Sequence, residues 1–327
     1  MIHARKLART YKTRTGPVEA VRGVDLDVEA GEIVGFLGPN GAGKTTTLRM
    51  LTTLIEPTAG EATVAGHDLL RDPVGVRRNI GYVAQGGVTL DMARAGEECV
   101  DQARLYGMKT ADARVRGRKL FAQLDLDGLW DRNCNSLSGG QRRRLDIVIG
   151  LMHTPALVFL DEPTTGLDPQ SRANLWEHIL RLRGELGSTV FLTTHYLDEA
   201  DYLCDRLLVI DNGMIVASGT PEELKSQVSG DAVILTLADA GRAPDATVVL
   251  AGLDGADKPV IDADGTGHAD HLSVHVPLGG AALPGLLREL DNKGIELSAV
   301  EVRRPTLDDV FLSLTGRSLR DESDTPT

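Results

Sequence analysis

Gly38-Pro39-Asn40-Gly41-Ala42-Gly43-Lys44-Thr45 decides the fold of this chain. The octapeptide fits G-x-x-x-x-G-K-[ST]. It follows the apolar run Glu32–Leu37, which predicts a buried strand, and opens Lys44–Leu54, which predicts a helix. That strand–loop–helix order is the setting the motif requires. Small residues let backbone N–H groups turn toward phosphate oxygens, and the helix N-terminus adds partial positive charge. Lys44 is expected to reach the β- and γ-phosphates of a nucleotide, and the Thr45 hydroxyl to bind Mg²⁺. Thr46 completes the expected contact set. The octapeptide thus points to an α/β nucleotide-binding protein.

Outward from this loop, short apolar runs alternate with helical segments to about residue 228, the pattern of a largely parallel sheet. Glu56-Pro57-Thr58-Ala59-Gly60 reads as a turn, Ile80–Ala84 as a strand, and Met92 to about Leu126 as helical. Leu157–Leu160 and Thr189–Thr193 read as strands, and Pro169–Leu186 as a helix. Leu207–Ile210, Asn212-Gly213 and Met214–Ala217 predict a hairpin with an Asn-Gly turn. Composition shifts after Val228. Ser229–Gly230 and the Asp/Ala/Gly-rich stretch to Asp270 suggest a linker and loop-rich strands. Val233–Leu237, Thr247–Leu250, Leu272–Val276 and Ile295–Arg303 read as strands, and Ala281–Leu290 as a helix. The expected division is a nucleotide-binding domain at 1–228, a small α+β domain at 229–317, and a polar, disordered tail at 318–327.

Bulk properties narrow the function classes. A chain of 327 residues favours two domains, and 42% hydrophobic residues suffice for packed cores. A net charge of −12 argues against a general nucleic-acid surface, because duplex binding rests on phosphate neutralisation. Cys99, Cys134 and Cys204 share no metal-type spacing and read as reduced thiols of a cytosolic protein. Residues 1–30 show no apolar secretory core, and the longest apolar runs are strand-sized. If the protein works at a membrane, another chain must cross it.

Three further segments carry chemistry. Leu157-Val158-Phe159-Leu160-Asp161-Glu162 is a buried strand ending in two acids, at the edge where α/β proteins place ligands. Alone, these acids could equally be solvated. Beside a phosphate loop, Asp161 would hold Mg²⁺ through water and Glu162 would orient or deprotonate the attacking water. In Leu137-Ser138-Gly139-Gly140-Gln141, Ser138 is a good N-cap and the glycines leave N–H groups open before a helix Gln141–Leu151. That is an anion site with nothing in its own sequence to fill it. Arg142-Arg143-Arg144 reads as a solvated or interface face rather than a nucleic-acid contact. Cys204 reads as a packed small side chain.

With these motifs in this order, the chain resembles ABC transporter ATPases over about residues 2–225. Leu137–Gln141 matches the family signature in full. Gln85 matches the Q-loop glutamine, Asp168 the D-loop aspartate, His195 the H-loop histidine, and Tyr11 the aromatic on which adenine stacks. The resemblance implies a parallel core sheet, an antiparallel β subdomain and a helical subdomain. It implies ATP and Mg²⁺ as ligands, with Gln85 linking Mg²⁺ to a docking helix of a membrane subunit. It also implies a head-to-tail dimer. There Ser138, Gly139, Gly140, Gln141 and Asp168 meet ATP held on the partner copy, and His195 hydrogen-bonds the γ-phosphate.

Tyr196-Leu197-Asp198-Glu199-Ala200-Asp201 and Arg304-Pro305-Thr306-Leu307-Asp308-Asp309-Val310-Phe311-Leu312 resemble the daunorubicin-resistance ATPases, as does Gln141–Asp146. One departure is Ala93–Cys99, where relatives commonly carry a Thr-Gly-Glu-Glu-Asn-Leu type stretch; it touches contacts to the membrane partner and no catalytic motif. The resemblance implies the ATPase of a bacterial exporter of drug-like or other hydrophobic compounds. It would act at the cytoplasmic face of the membrane, bound to a separate permease. An ABC ATPase acting on ribosomes or DNA is the alternative class, opposed by the single phosphate loop and the lack of sustained heptads. A P-loop kinase is opposed by the signature and the context of His195.

Overall fold

The computed structural model describes residues 1–14, 16–228, 230–261, 271–277 and 279–316. The chain divides into two compact units, one spanning Met1–Pro221 and the other beginning at Glu222. The polar tail from residue 318, Ser229 and residues 262–270 lie outside the described residues.

The first unit is built on a six-stranded sheet. Its spatial order is Met214–Gly219, Arg206–Asp211, Ile33–Leu37, Thr189–Thr194, Leu157–Asp161, Ile80–Val83. Arg206–Asp211 through Ile80–Val83 run parallel, and Met214–Gly219 returns antiparallel along the edge. Ile33–Leu37, Leu157–Asp161 and Thr189–Thr194 are buried along their whole length. A strand covered on both faces has no reason to alternate, so each carries successive apolar residues at its centre, as in Val190-Phe191-Leu192. The edge hairpin turns at Asn212 (φ 47°) and Gly213 (φ 77°), as the Asn-Gly pair predicts.

Register places the site. Leu37 pairs with Thr194, and Asp161 with Thr193, so three neighbouring strands end together. Their C-terminal ends deliver the phosphate loop, Asp161-Glu162 and Thr194-His195 to one edge.

A four-stranded antiparallel sheet, in the order Gly16–Val28, Ile2–Thr13, Ala59–Val64, His67–Asp68, packs its apolar side into the core around Phe36, Phe159 and Phe191. It is the antiparallel subdomain that the resemblance implies. The helical stretch begins at Ala95 rather than Met92. It breaks into Ala95–Leu105 and Thr110–Gln123 at Gly107, whose φ is 83°. The helix after the phosphate loop ends at Leu51, three residues short of the sequence reading.

The second unit is α+β. Its antiparallel sheet runs Val260–Ile261, His271–Val276, Asp231–Leu237, Leu297–Arg303. Helices Ala243–Ala251 and Gly279–Asn292 close one core over Val233, Leu235, Leu272 and Val274. Thr247–Leu250, read in sequence as a strand, is helical. Pro244 sits in the first turn, and Ala243, Ala246, Val249 and Leu250 are buried at helical spacing. The short β-branched run misled because it is only part of that face.

Candidate functional site

The phosphate loop leaves its strand with Gly38 N–H donating to Thr194 O at 3.3 Å. Helix Lys44–Leu51 starts at Gly43, with φ 107°, and has no side-chain cap. Its first N–H groups therefore lack a side-chain acceptor, the arrangement in which a helix N-terminus can take an anion. Lys44 is buried. Its Nζ donates to the carbonyls of Gly38 at 2.7 Å and Pro39 at 2.9 Å, and lies 3.4 Å from Glu162 Oε1. Thr46 follows on the same turn.

Asp161 and Glu162 are both buried, and different donors hold them. Asp161 Oδ1 accepts from Thr45 Oγ1 at 3.2 Å and Thr193 Oγ1 at 2.8 Å. Thr193 Oγ1 in turn accepts from Glu162 N at 3.0 Å. Glu162 has φ 43°, the left-handed region that strains a residue with a side chain, and such strain gathers at functional sites. Its Oε2 accepts from Gln85 Nε2 at 2.9 Å and Thr165 Oγ1 at 3.2 Å. His195 Nδ1 lies 3.4 Å from the same oxygen, close enough for ion pairing but without hydrogen-bond alignment. Burial pushes the Glu162 carboxyl up; the His195 ring, the Lys44 charge and Thr165 outweigh it and hold the group at about 2.

The donor set suits Mg²⁺. The Thr45 hydroxyl and the Asp161 carboxylate are adjacent hard oxygens. Among the described residues no cluster of three or more His, Cys, Asp or Glu offers a complete cage. A Mg²⁺ ion would take its other ligands from phosphates and water, as this ion usually does.

Ser138 caps helix Gly139–Leu151 through a capping box: its Oγ accepts from Gln141 N at 3.2 Å, and Gln141 Oε1 accepts from Ser138 N at 3.0 Å. The N–H groups of Gly139 and Gly140 have no acceptor among the described residues. Gly140 also packs against the Pro169–Leu186 helix, where an added Cβ would meet Ser171 Oγ at 3.0 Å. Asp168 caps that helix, accepting from Ser171 N at 2.9 Å and Ser171 Oγ at 2.6 Å, and these bonds lower its pKa. Tyr11 lies on the antiparallel sheet opposite Val18, with the Arg9 guanidinium 4.9 Å from its ring centre.

The structure therefore gathers Lys44, Thr45, Asp161, Glu162, Gln85 and His195 at one edge, and gives Ser138, Gln141 and Asp168 helix-capping roles within their own chain. Thr193, Thr165, Arg143 and Asp146 were missed. Thr193 was visible as a polar residue in an apolar strand. Arg143 corrects the reading of Arg142-Arg143-Arg144 as a solvated or interface face: Arg143 is 7% exposed. It shares a buried helix face with Asp146, Ile147 and Gly150, a three-and-four spacing that was legible in sequence. Cys99, Cys134 and Cys204 are free and buried, the packed position expected of Cys204, and burial pushes the Cys204 thiol far up.

Fold and site together define a phosphate-loop ATPase with a second, capped helix whose first N–H groups lack an acceptor among the described residues. Residues 21–165 match the ABC transporter family, and residues 219–315 match the C-terminal domain of DrrA1-3-like ATP-binding proteins. The chain belongs to the ABC transporter family of ATP-binding proteins, which hydrolyse ATP. It is 43% identical to daunorubicin resistance ATP-binding protein DrrA3 of Streptomyces coeruleorubidus, over 94% of each chain. It is 33% identical to linearmycin resistance ATP-binding protein LnrL of Bacillus subtilis, over 98% of this chain and 100% of that one. Among solved structures, the dimeric post-hydrolysis ATP-binding cassette MJ0796, bound to ADP and Pi, superposes with a TM-score of 0.62 at 26% identity. That match covers 67% of this chain and 98% of the cassette.

Proposed function

We propose that the chain is the engine subunit of an exporter for drug-like or other hydrophobic compounds. The observation that carries the engine is the convergence of Lys44, Gln85, Thr165 and His195 on the single carboxylate of Glu162. In this reading the Gly38–Gly43 loop and Thr46 cradle the phosphates, Lys44 binds the β- and γ-phosphates, and Tyr11 stacks on adenine. Thr45, Asp161 and Gln85 would hold Mg²⁺, which neutralises phosphate charge. Glu162 orients and deprotonates the attacking water, and His195 steadies the γ-phosphate.

Two copies close head to tail. Ser138, Gly139, Gly140, Gln141 and Asp168 of one then complete the phosphate site of the other; the unpaired N–H groups of Gly139 and Gly140 support this. The nucleotide-binding domain is residues 1–228 and the accessory domain 229–317. No helix among the described residues is long and apolar enough to cross a membrane, so a separate permease does so, with this chain at its cytoplasmic face. A cleft of about 230 Å³ lined by Leu54, Tyr82, Val88, Tyr106 and His153 suits a helix of that permease.

The cargo reading rests on whole-length likeness to proteins named for daunorubicin, doxorubicin and linearmycin resistance. The test is co-purification with the protein of the neighbouring reading frame, which should hold about six apolar 20-residue spans. ATPase activity of that complex should rise with hydrophobic drug-like compounds. Co-purification with ribosomes or DNA in place of a membrane protein would sink the proposal.

A further inference from the structure

Helix Gly139–Leu151 carries two buried charged side chains, Arg143 and Asp146. Arg143 Nε donates to Pro163 O at 2.8 Å and Nη1 to Ala84 O at 2.5 Å. Its Nη2 donates to Asp161 O at 2.9 Å and Glu162 O at 3.4 Å. One turn on, Asp146 is 2% exposed and its Oδ1 accepts from Val88 N at 3.0 Å. Gly87, with φ 74°, passes so close that an added Cβ would meet Asp146 Oδ2 at 2.8 Å. Ala84 and Val88 bracket Gln85, so the two charges grip the loop on both sides of that glutamine.

This arrangement is expensive to build. A buried guanidinium and a buried carboxylate each lose hydration, and only a nearly full set of hydrogen bonds offsets the loss. Burial lowers the pKa of Arg143 and raises that of Asp146, each partly opposed by the other's charge. Arg143 directs its donors to backbone carbonyls, not to a single carboxylate. A flat, forked donor set of this kind fixes position as well as charge. The helix cannot tilt without pulling on the carbonyl of Glu162 and on the carbonyl just before Gln85. Ser138, at the capped end of the same helix, lies five residues away, about 7–8 Å along the axis.

We propose that Arg143, braced by Asp146, is a positioning residue. It ties the Ser138–Gln141 end of this helix to Glu162 and Gln85 of the same chain, so that ATP in one site of a dimer sets the hydrolytic geometry of the other. The proposal rests on the two-copy reading given above. The helix is the lever, its N-terminus senses phosphate held by the second copy, and Arg143 passes the movement to the water-activating carboxylate.

The test uses the full chain purified with its membrane subunit, comparing wild type with Arg143→Lys and Arg143→Met. Lysine keeps the charge but loses the fork, so it also serves if the methionine variant folds poorly. The measurements are ATP affinity, kcat, the Hill coefficient for ATP, and the thermal midpoint. In both variants ATP affinity should stay within about twofold while kcat falls about tenfold. The Hill coefficient should drop from above one to one, with lysine intermediate. If the variants lower only the thermal midpoint and the active fraction, with kcat per ATP-binding molecule and cooperativity intact, Arg143 is a structural anchor and the inference fails. A cooperative wild type with equally cooperative variants overturns the coupling alone. A wild type that hydrolyses ATP without cooperativity and without pairing overturns both the two-copy reading and this inference.

Discussion

Lys44 Nζ lies 3.4 Å from Glu162 Oε1, with both side chains less than a tenth exposed. The pair puts the cation proposed to bind phosphate on the carboxylate proposed to activate water. In that reading nucleotide phosphates would compete for Lys44, and Glu162 would lose a cation that stabilises its charge. A carboxylate held at about 2 is a weak base. Binding of ATP should therefore raise its pKa and make it a better one. The same contact that keeps the Glu162 carboxylate charged would restrain the proposed base until substrate engages Lys44.

This sequence of events has a kinetic signature. The pH dependence of kcat/KM reports groups of the free protein, and that of kcat reports groups of the bound complex. The acid limb of kcat should lie at higher pH than the acid limb of kcat/KM. Coincident limbs in a pH series would show that Lys44 does not restrain Glu162.

The depressed pKa also sets a stability window. Glu162 falls from an ordinary 4.5 to about 2 in the folded chain. A group with a lowered folded pKa contributes stability above its unfolded value, and that contribution disappears as pH falls through the folded value. Wild type should lose thermal stability relative to Glu162→Gln as pH drops from about 4.5 toward 2. Parallel melting curves for the two proteins across that range would count against the assignment.

Glu162→Gln should also lower ATP turnover by a factor of about a hundred or more, the scale of a lost general base. The variant keeps an oxygen and an N–H in place of the carboxylate, so ATP still binds and the two-copy state persists. Phosphate release and size-exclusion with ATP measure the two effects. Wild-type turnover in the variant would remove Glu162 from the role of base.

The phosphate loop and the Asp161-Glu162 strand were legible because their chemistry is local: small residues before a helix, acids after an apolar run. The central strands were legible for a related reason, since burial on both faces writes apolar residues in succession rather than in alternation. The antiparallel strands Ile2–Thr13 and Gly16–Val28 were not read individually. They pair with register shifts near Ala4/Leu7 and Arg9/Thr10, which break the alternation that marks a strand. Arg143 was misread for a different reason. Its environment consists of carbonyls from residues 84 and 161–163, and no local pattern shows that a charged side chain will meet four of them. Helical spacing could have placed it on the buried face, but not named its partners.

Thr45→Val tests the metal reading without touching the phosphate cradle. The methyl group replaces a hydroxyl that lies 3.2 Å from Asp161 Oδ1. The Mg²⁺ concentration for half-maximal activity should rise about tenfold, as for loss of one oxygen ligand, while ATP binding without Mg²⁺ changes little. An unchanged Mg²⁺ dependence would exclude Thr45 as a ligand.

The second unit offers a test of independence. Leu235 is 0% exposed on the central strand Asp231–Leu237, flanked by Leu272 and Val300 on the neighbouring strands. Leu235→Ala leaves a cavity among Val249, Leu250, Leu286 and Leu290, costing about 2–5 kcal/mol. Small units hold little reserve, so a loss of that size should melt this one well before the nucleotide-binding unit. Calorimetry should then show an early transition that moves down in the variant and a later one that stays. ATP binding by the isolated chain should be unchanged, because every side chain proposed to bind nucleotide lies in Met1–Pro221. A single transition that shifts as a whole, with ATP affinity lost alongside, would mean that the two units fold as one and that the division between Pro221 and Glu222 has no energetic basis.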